Sequence, residues 1–137
     1  MTEVTIEIDT RAARALLDRA PERINRALRA GMEDSTVLLL REMQTYPPQR
    51  AGSSYVRTNV LRGSWSRDPI EQRQNRITGI VRSNHNTADY NRLVQDATVQ
   101  ARVHRGRWTN TAQNVQRRTE RTIQNYFDRR LREEFSR

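Results

Sequence analysis

The chain has no cysteine among its 137 residues, no lysine, and only two histidines, His85 and His104. The missing cysteines remove a disulfide framework, a thiol nucleophile and any cysteine-based metal site, and leave no mark of a redox compartment. Two histidines are too few for a histidine-only zinc site. No apolar run approaches the roughly 18 residues needed to span a bilayer, and the N-terminus opens on alternating acidic and apolar residues rather than a signal peptide. The chain is therefore expected to be made and kept in the cytoplasm, with no membrane partner. No internal repeat, heptad array or low-complexity tract is visible. Aromatic residues make up 6% of the chain, hydrophobic residues 34% and charged residues 30%. That polar balance lies near the edge of what a self-sufficient globule uses, so neighbouring subunits are expected to supply part of the stability. A chain this long defaults to one domain that buries about two thirds of its unfolded surface.

Charge is abundant and uneven. All 25 basic residues are arginine, against 16 acids, for a net charge of +9. Residues 1–50 carry 8 arginines and 8 acids, residues 51–100 carry 7 and 4, and residues 101–137 carry 10 and 4. Codon usage in a GC-rich genome is the simpler cause of the arginine preference, because lysine serves phosphate binding almost as well as a point charge. The basic C-terminal half suits contact with DNA or with an acidic protein surface.

Val4, Ile6 and Ile8 alternate with Thr5 and Glu7, the period of a half-buried strand. Asp9 or Thr10 then offers an N-cap for a short helix through Asp18, with Ala12, Ala15 and Leu16 on one face. Pro21 ends that piece and suits the first turn of a second helix over 21–45. The stripe of this helix includes the small residues Ala27, Ala30, Gly31 and Ser35. Ordinary helix-on-sheet packing is the favoured reading of them, close approach of another backbone the alternative. Tyr46-Pro47-Pro48 stops the helix. The polar, glycine- and serine-containing stretch 49–56 reads as a mobile loop.

Residues 65–72 and 76–83 read as a hairpin turning near Gln74 and Asn75, with Pro69 demoting the first strand to an edge or bulged one. Ile77, Gly79 and Val81 share one face of the second strand. Asn84 to Asn86 is a turn, and 87–94 is either a helical turn or an extended segment. Alternation at 101–104 suggests a third strand. Val115, Thr119, Ile123, Phe127, Leu131 and Phe135 recur every four residues, the signature of an amphipathic helix of about 25 residues, capped by Asn110 or Thr111. The expected fold class is α+β, a small, mostly antiparallel sheet with long helices packed on one face, in a single domain over 1–137.

Nothing in the chain resembles a catalytic constellation. Asp68, Glu71, Asp89 and Asp96 form no pair of recognisable spacing, no glycine-rich phosphate loop is present, and Ser64 and His104 lie in no nucleophile motif. The expectation is a non-enzyme without cofactor or metal. Arginines 117, 118, 121, 129, 130 and 132 on the closing helix allow sequence-independent DNA binding. They spread around its circumference and are interrupted by acids, unlike a recognition helix.

Two aromatic-and-arginine segments carry the most specific signal. Thr58-Asn59-Val60-Leu61-Arg62-Gly63-Ser64, after a long helix ended by Pro47 and Pro48 and before a hairpin, resembles the threonine-glycine-x-leucine-arginine-x-serine segment of the tail-completion, or head-to-tail joining, proteins of long-tailed bacteriophages, the minor tail protein Z type. Asn59 stands where glycine is usual, and asparagine tolerates positive φ better than other non-glycine residues. Tyr90, Val94-Gln95 and His104-Arg105-Gly106-Arg107-Trp108 follow the order of one branch of that family. The likeness covers most of the chain and departs from the family in the longer loop over 49–56.

The resemblance implies a virion protein of the neck, a homo-oligomeric ring, usually six-fold, between the head connector or adaptor and the tail tube or its terminator. DNA passes through the lumen of such a ring and can touch it non-specifically. A terminator ring capping the tail tube is the close alternative. Tyr55, Arg57, Leu61, Arg62, Trp65, Tyr90, His104, Arg105, Arg107 and Trp108 become the candidate subunit or partner interface. Gly106 permits a tight bend that presents Arg105 and Arg107 on adjacent sides. Core packing is the favoured reading of both tryptophans, inter-subunit anchoring the alternative. His104 reads as a hydrogen-bonded structural residue, and the loop bearing Tyr55 and Arg57 as one that orders against a partner.

Overall fold

The computed structural model describes residues 2–9, 11, 18, 20–54, 58–73, 76–84 and 86–136. Most of the expected short helix through Asp18, and the residues Tyr55 and Arg57, lie outside that set. Among the described residues the elements run β1 (Glu3–Asp9), α1 (Pro21–Met43), α2 (Val60–Gly63), β2 (Trp65–Arg67), β3 (Glu71–Arg73), β4 (Arg76–Ser83), α3 (Asn91–Gln95) and α4 (Ala112–Phe135). The architecture is α+β.

Strand β4 is the centre of an antiparallel sheet. It pairs with β1 on one side, Val4 opposite Val81 and Ile8 opposite Ile77, and with β2 and β3 on the other. Between the pairs Arg67↔Val81 and Glu71↔Thr78, residues 68–70 face only residues 79–80. That extra residue is a bulge at Pro69, which has no N–H for a ladder bond. The interruption therefore splits the expected first hairpin strand in two.

The period-2 pattern aims Ile77, Gly79 and Val81 at the helices, while Arg76, Thr78 and Arg82 lie on the outer face with Glu3 and Glu7. One face is packed and the other is charged, as an antiparallel sheet permits. Met32, Leu39, Met43, Val81 and Val115 are wholly inaccessible, and full burial of each large side chain contributes about 1.5–3 kcal/mol. Val4, Leu39, Met43, Trp65, Val81, Ala112 and Val115 form one cluster. Ile24, Leu28, Met32, Ile77 and Phe127 continue it toward the other end of the helix pair.

Two glycines set how closely the layers approach. A Cβ on Gly79 would lie 2.6 Å from Met32 Sδ and from Thr36 Cγ2, so α1 rests almost on the β4 backbone. A Cβ on Gly31 would lie 2.5 Å from Cδ1 of Phe127, so the small-residue stripe of α1 seats helix α4 as well as the sheet. Helix-on-sheet packing alone does not describe it. The hydroxyls of Ser35 and Thr36, buried in this seam, donate to Gly31 O (2.7 Å) and Met32 O (3.0 Å), which leaves no orphan donor.

Arginines and acids pin the antiparallel pair α1 and α4 along its length. Arg130 grips Asp34 with two bonds, Nε to Oδ2 at 2.8 Å and Nη2 to Oδ1 at 3.0 Å. Arg129 reaches the same carboxylate at 3.2 Å. Arg118 pairs with Glu42 and Arg26 with Glu134 at the two ends. The Arg130 hydrogen bond is the main cause that holds the Asp34 carboxyl below the usual carboxylate range, and the same bond raises Arg130. Helix α4 begins at Thr111, whose side chain accepts from Asn114 N, so the hydroxyl expected at the N-cap is in place.

The expected strand over 101–104 is absent. Residues 101–107 instead form successive turns closed by His104 N to Ala101 O (2.9 Å) and Arg107 N to His104 O (3.1 Å). Gly106 adopts φ +75° in the last of these turns. Local bonds satisfy this backbone without a sheet partner.

Candidate functional site

The segment between the hairpin and α4 is threaded on three buried amides. Gln95, fully inaccessible, accepts from Trp65 Nε1 at 2.8 Å and donates to Met43 O at 2.8 Å. Gln100 donates to Val94 O (2.7 Å) and Trp108 O (2.9 Å). Asn110 donates to Glu42 O (3.0 Å) and to Thr45 O. Gln95 and Asn110 tie an otherwise irregular stretch to carbonyls at the C-terminal end of α1, and Gln100 ties that stretch to itself. Burial raises Asp96, but hydrogen bonds from Thr98 and Gln113 outweigh that and hold its carboxyl below the usual range.

Asn59 is the only non-glycine residue with positive φ among those described, at φ +60°. The asparagine in the position where the resembled family has glycine thus takes the left-handed conformation expected of it. It turns the chain into α2, where Leu61 is buried and Arg62 is exposed. Tyr90 lies at the start of α3.

These pieces converge. Tyr46, Thr58, Asn59, Val60, Leu61, Tyr90, Val94, His104 and Trp108 line one cavity of about 280 Å³. The rings of Tyr46 and Trp108 lie 4.9 Å apart, tilted by 56°, and His104 meets Trp108 edge-on at 6.3 Å. The indole N–H of Trp108 is buried and has no hydrogen-bond partner among the described residues. Tyr90 is 40% exposed at the mouth. Arg105 and Arg107 are exposed on either side of Gly106, Arg105 bonding through Nε to Gln100 O at 3.1 Å.

The structure therefore gathers Leu61, Tyr90, His104 and Trp108 and leaves Arg62, Arg105 and Arg107 as exposed cations. Trp65 goes elsewhere. It is 3% exposed in the core of the chain, so the interface role given to it does not fit, and the core reading of this tryptophan holds. Tyr46 lines the cavity although the sequence marks it only as the residue before two prolines. Its contact with Trp108 spans 62 positions and leaves no local pattern. Gln95 and Asn110 were equally unmarked as organisers, since a buried amide has no periodicity. Among the described residues no group of histidines and acids is arranged to hold a metal, and no helix is long and apolar enough to cross a membrane.

Comparison of the chain with protein-family models, curated proteins and solved structures finds no match.

Proposed function

We propose that this protein is a structural subunit of a tailed-bacteriophage virion, a homo-oligomeric ring at the head-tail junction that joins the tail to the DNA-filled head and lets DNA pass. One observation carries the reading: the two segments that resemble tail-completion proteins, around Leu61 and from Tyr90 to Trp108, meet in a single aromatic cavity. A shallow pocket of tyrosine, tryptophan and histidine with a buried, unpaired indole N–H suits an anchor side chain and a carbonyl from a partner. The occupant is a loop of the head connector or of the tail tube, and the work of the chain is attachment rather than catalysis. Sequence-independent DNA binding is less well supported, because Arg118, Arg129 and Arg130 are engaged by Glu42 and Asp34.

Electron microscopy of particles made with a stop codon in this gene tests the reading. Filled heads beside separate tails of normal length are expected. Overlong or ragged tails would assign a terminator role, and intact infectious virions would remove the structural reading. A Trp108→Ala chain that folds but no longer restores joined particles would locate the contact in the cavity.

A further inference from the structure

The aromatic cavity is lined from within by Val94 and His104, while a groove elsewhere on the chain and the outward face of the segment that carries them fit each other. The first is a groove of about 780 Å³ beside the outer edge of β1. Ile6, Ile8, Leu28, Ile123, Phe127 and Leu131 form its apolar lining, and Glu7, Glu120 and Asp128 line it with Arg117, the single cation there among the described residues. Arg117 is already bonded to Asn114 Oδ1 at 3.3 Å, and Glu7 lies 3.5 Å from Arg76. The second feature is the turn-rich segment 92–107. Leu93, Val99 and Val103 are 51%, 37% and 65% exposed there, flanked by the exposed Arg92, Arg102, Arg105 and Arg107. Its one acid, Asp96, is tied to Thr98 and Gln113.

Single exposed apolar side chains are ordinary, but three on one short basic segment are not. An apolar, acid-lined hollow and an exposed apolar segment flanked by arginines are complementary in polarity and in sign. The two surfaces are unlike and adjoin at Gln113, which lines the groove and bonds to Ala97 N and Asp96, so each contact pairs the segment of one copy with the hollow of another. Contact between unlike surfaces is the arrangement that closes into a ring when the rotation between copies allows it. We infer that the segment Leu93–Arg107 of one copy docks in the groove between β1 and α4 of the next, which makes this the subunit-to-subunit contact of the oligomer. The inference rests on the ring reading above, and names the surfaces that build the ring.

The absence of cysteine makes the test clean, because introduced thiols are the only ones present. A chain bearing both Val103→Cys and Gln124→Cys, the second at the groove, is treated at high protein concentration with a short thiol cross-linker. A ladder of dimers, trimers and larger species is expected, since each copy offers both surfaces. Mixing single variants should link only Val103→Cys with Gln124→Cys. Reversing Arg105 and Arg107 to glutamate should weaken association by roughly tenfold, the scale of two exposed pairs turned repulsive. Adding Glu120→Arg and Asp128→Arg should restore it, which a merely structural defect would not allow, and circular dichroism checks that each variant folds. A product that stops at the dimer, a link confined to one copy, or a chain that stays monomeric and unlinked to millimolar concentration overturns the inference. So does a closed oligomer in native mass spectrometry without this cross-link, and that outcome leaves the junction role standing. Intact virions from the stop-codon phage would instead overturn the junction role, whatever the cross-links show.

Discussion

Replacing Gln95 by leucine conserves the volume of a fully buried side chain while deleting both its hydrogen-bonding atoms. Trp65 Nε1 then loses its acceptor at 2.8 Å, and Met43 O, at the end of α1, loses its donor at 2.8 Å. Each buried group left unpaired costs about 1–3 kcal/mol. The more apolar leucine returns about 1–2 kcal/mol, so the net loss lies between about 0 and 5 kcal/mol and centres near about 2.5 kcal/mol. With an unfolding entropy of about 2.1 cal/mol/K per residue, this lowers the Tm of a 137-residue chain by about 10 °C. Urea and thermal unfolding followed by far-ultraviolet circular dichroism measure it. Trp65→Phe removes the donor from the pair, so in that background Gln95→Leu should cost less by about 1 kcal/mol. A Tm within about 2 °C of the parent, or strictly additive losses, would refute the claim that Gln95 is the joint between the hairpin and α1.

Other consequences are equally direct. Thr111→Ala removes the side-chain acceptor for Asn114 N and should cost about 1 kcal/mol in chemical denaturation, with Thr111→Asp retaining most of it. Gly31→Ala gains about 1 kcal/mol of helix propensity but drives a methyl into Phe127, so a net loss of up to about 2 kcal/mol is expected. In a Phe127→Leu background the same change should become neutral or stabilising, and a loss of equal size in both backgrounds would contradict the packing described. Asp34 is depressed by Arg130 and Arg129, so the unfolded chain binds its proton more readily than the folded one. Its contribution is therefore present above the unfolded pKa and lost as pH falls through the folded value. Asp34→Asn should flatten the acid limb of stability against pH, by a modest amount because both arginines are partly exposed. An unchanged limb in a pH series of unfolding midpoints would rule the clamp out.

The long helices, the central strand and the bulge at Pro69 were legible in sequence because each depends on a short period or on the missing N–H of one residue. The positive φ at Asn59 was legible for a similar reason, since few residue types tolerate that conformation. The alternation over 101–104 misled because two apolar positions do not by themselves make a strand. Here the segment is closed on itself by turns, and Gln100 and Trp108 fix it to α3 and the cavity. Partial burial of Trp108 against full burial of Trp65 was undecided by sequence, for both follow similar arginine-and-glycine stretches. Only the placement of Gln95 beside Trp65 and of Tyr46 beside Trp108 separates them.

By itself the sequence determined the α+β class, the two amphipathic helices, the absence of thiol chemistry and the excess of positive charge toward the C-terminus. Those properties follow from composition and from spacings of two to four residues, over which backbone geometry alone fixes which side chains share a face. Tertiary structure decided the rest. It made Gly31 and Gly79 the contact points of the layers, engaged half the arginines of the closing helix with acids on α1, and brought Tyr46, Leu61, Tyr90 and Trp108 to one cavity. Contacts between residues tens of positions apart depend on how whole elements pack, and no local pattern encodes them.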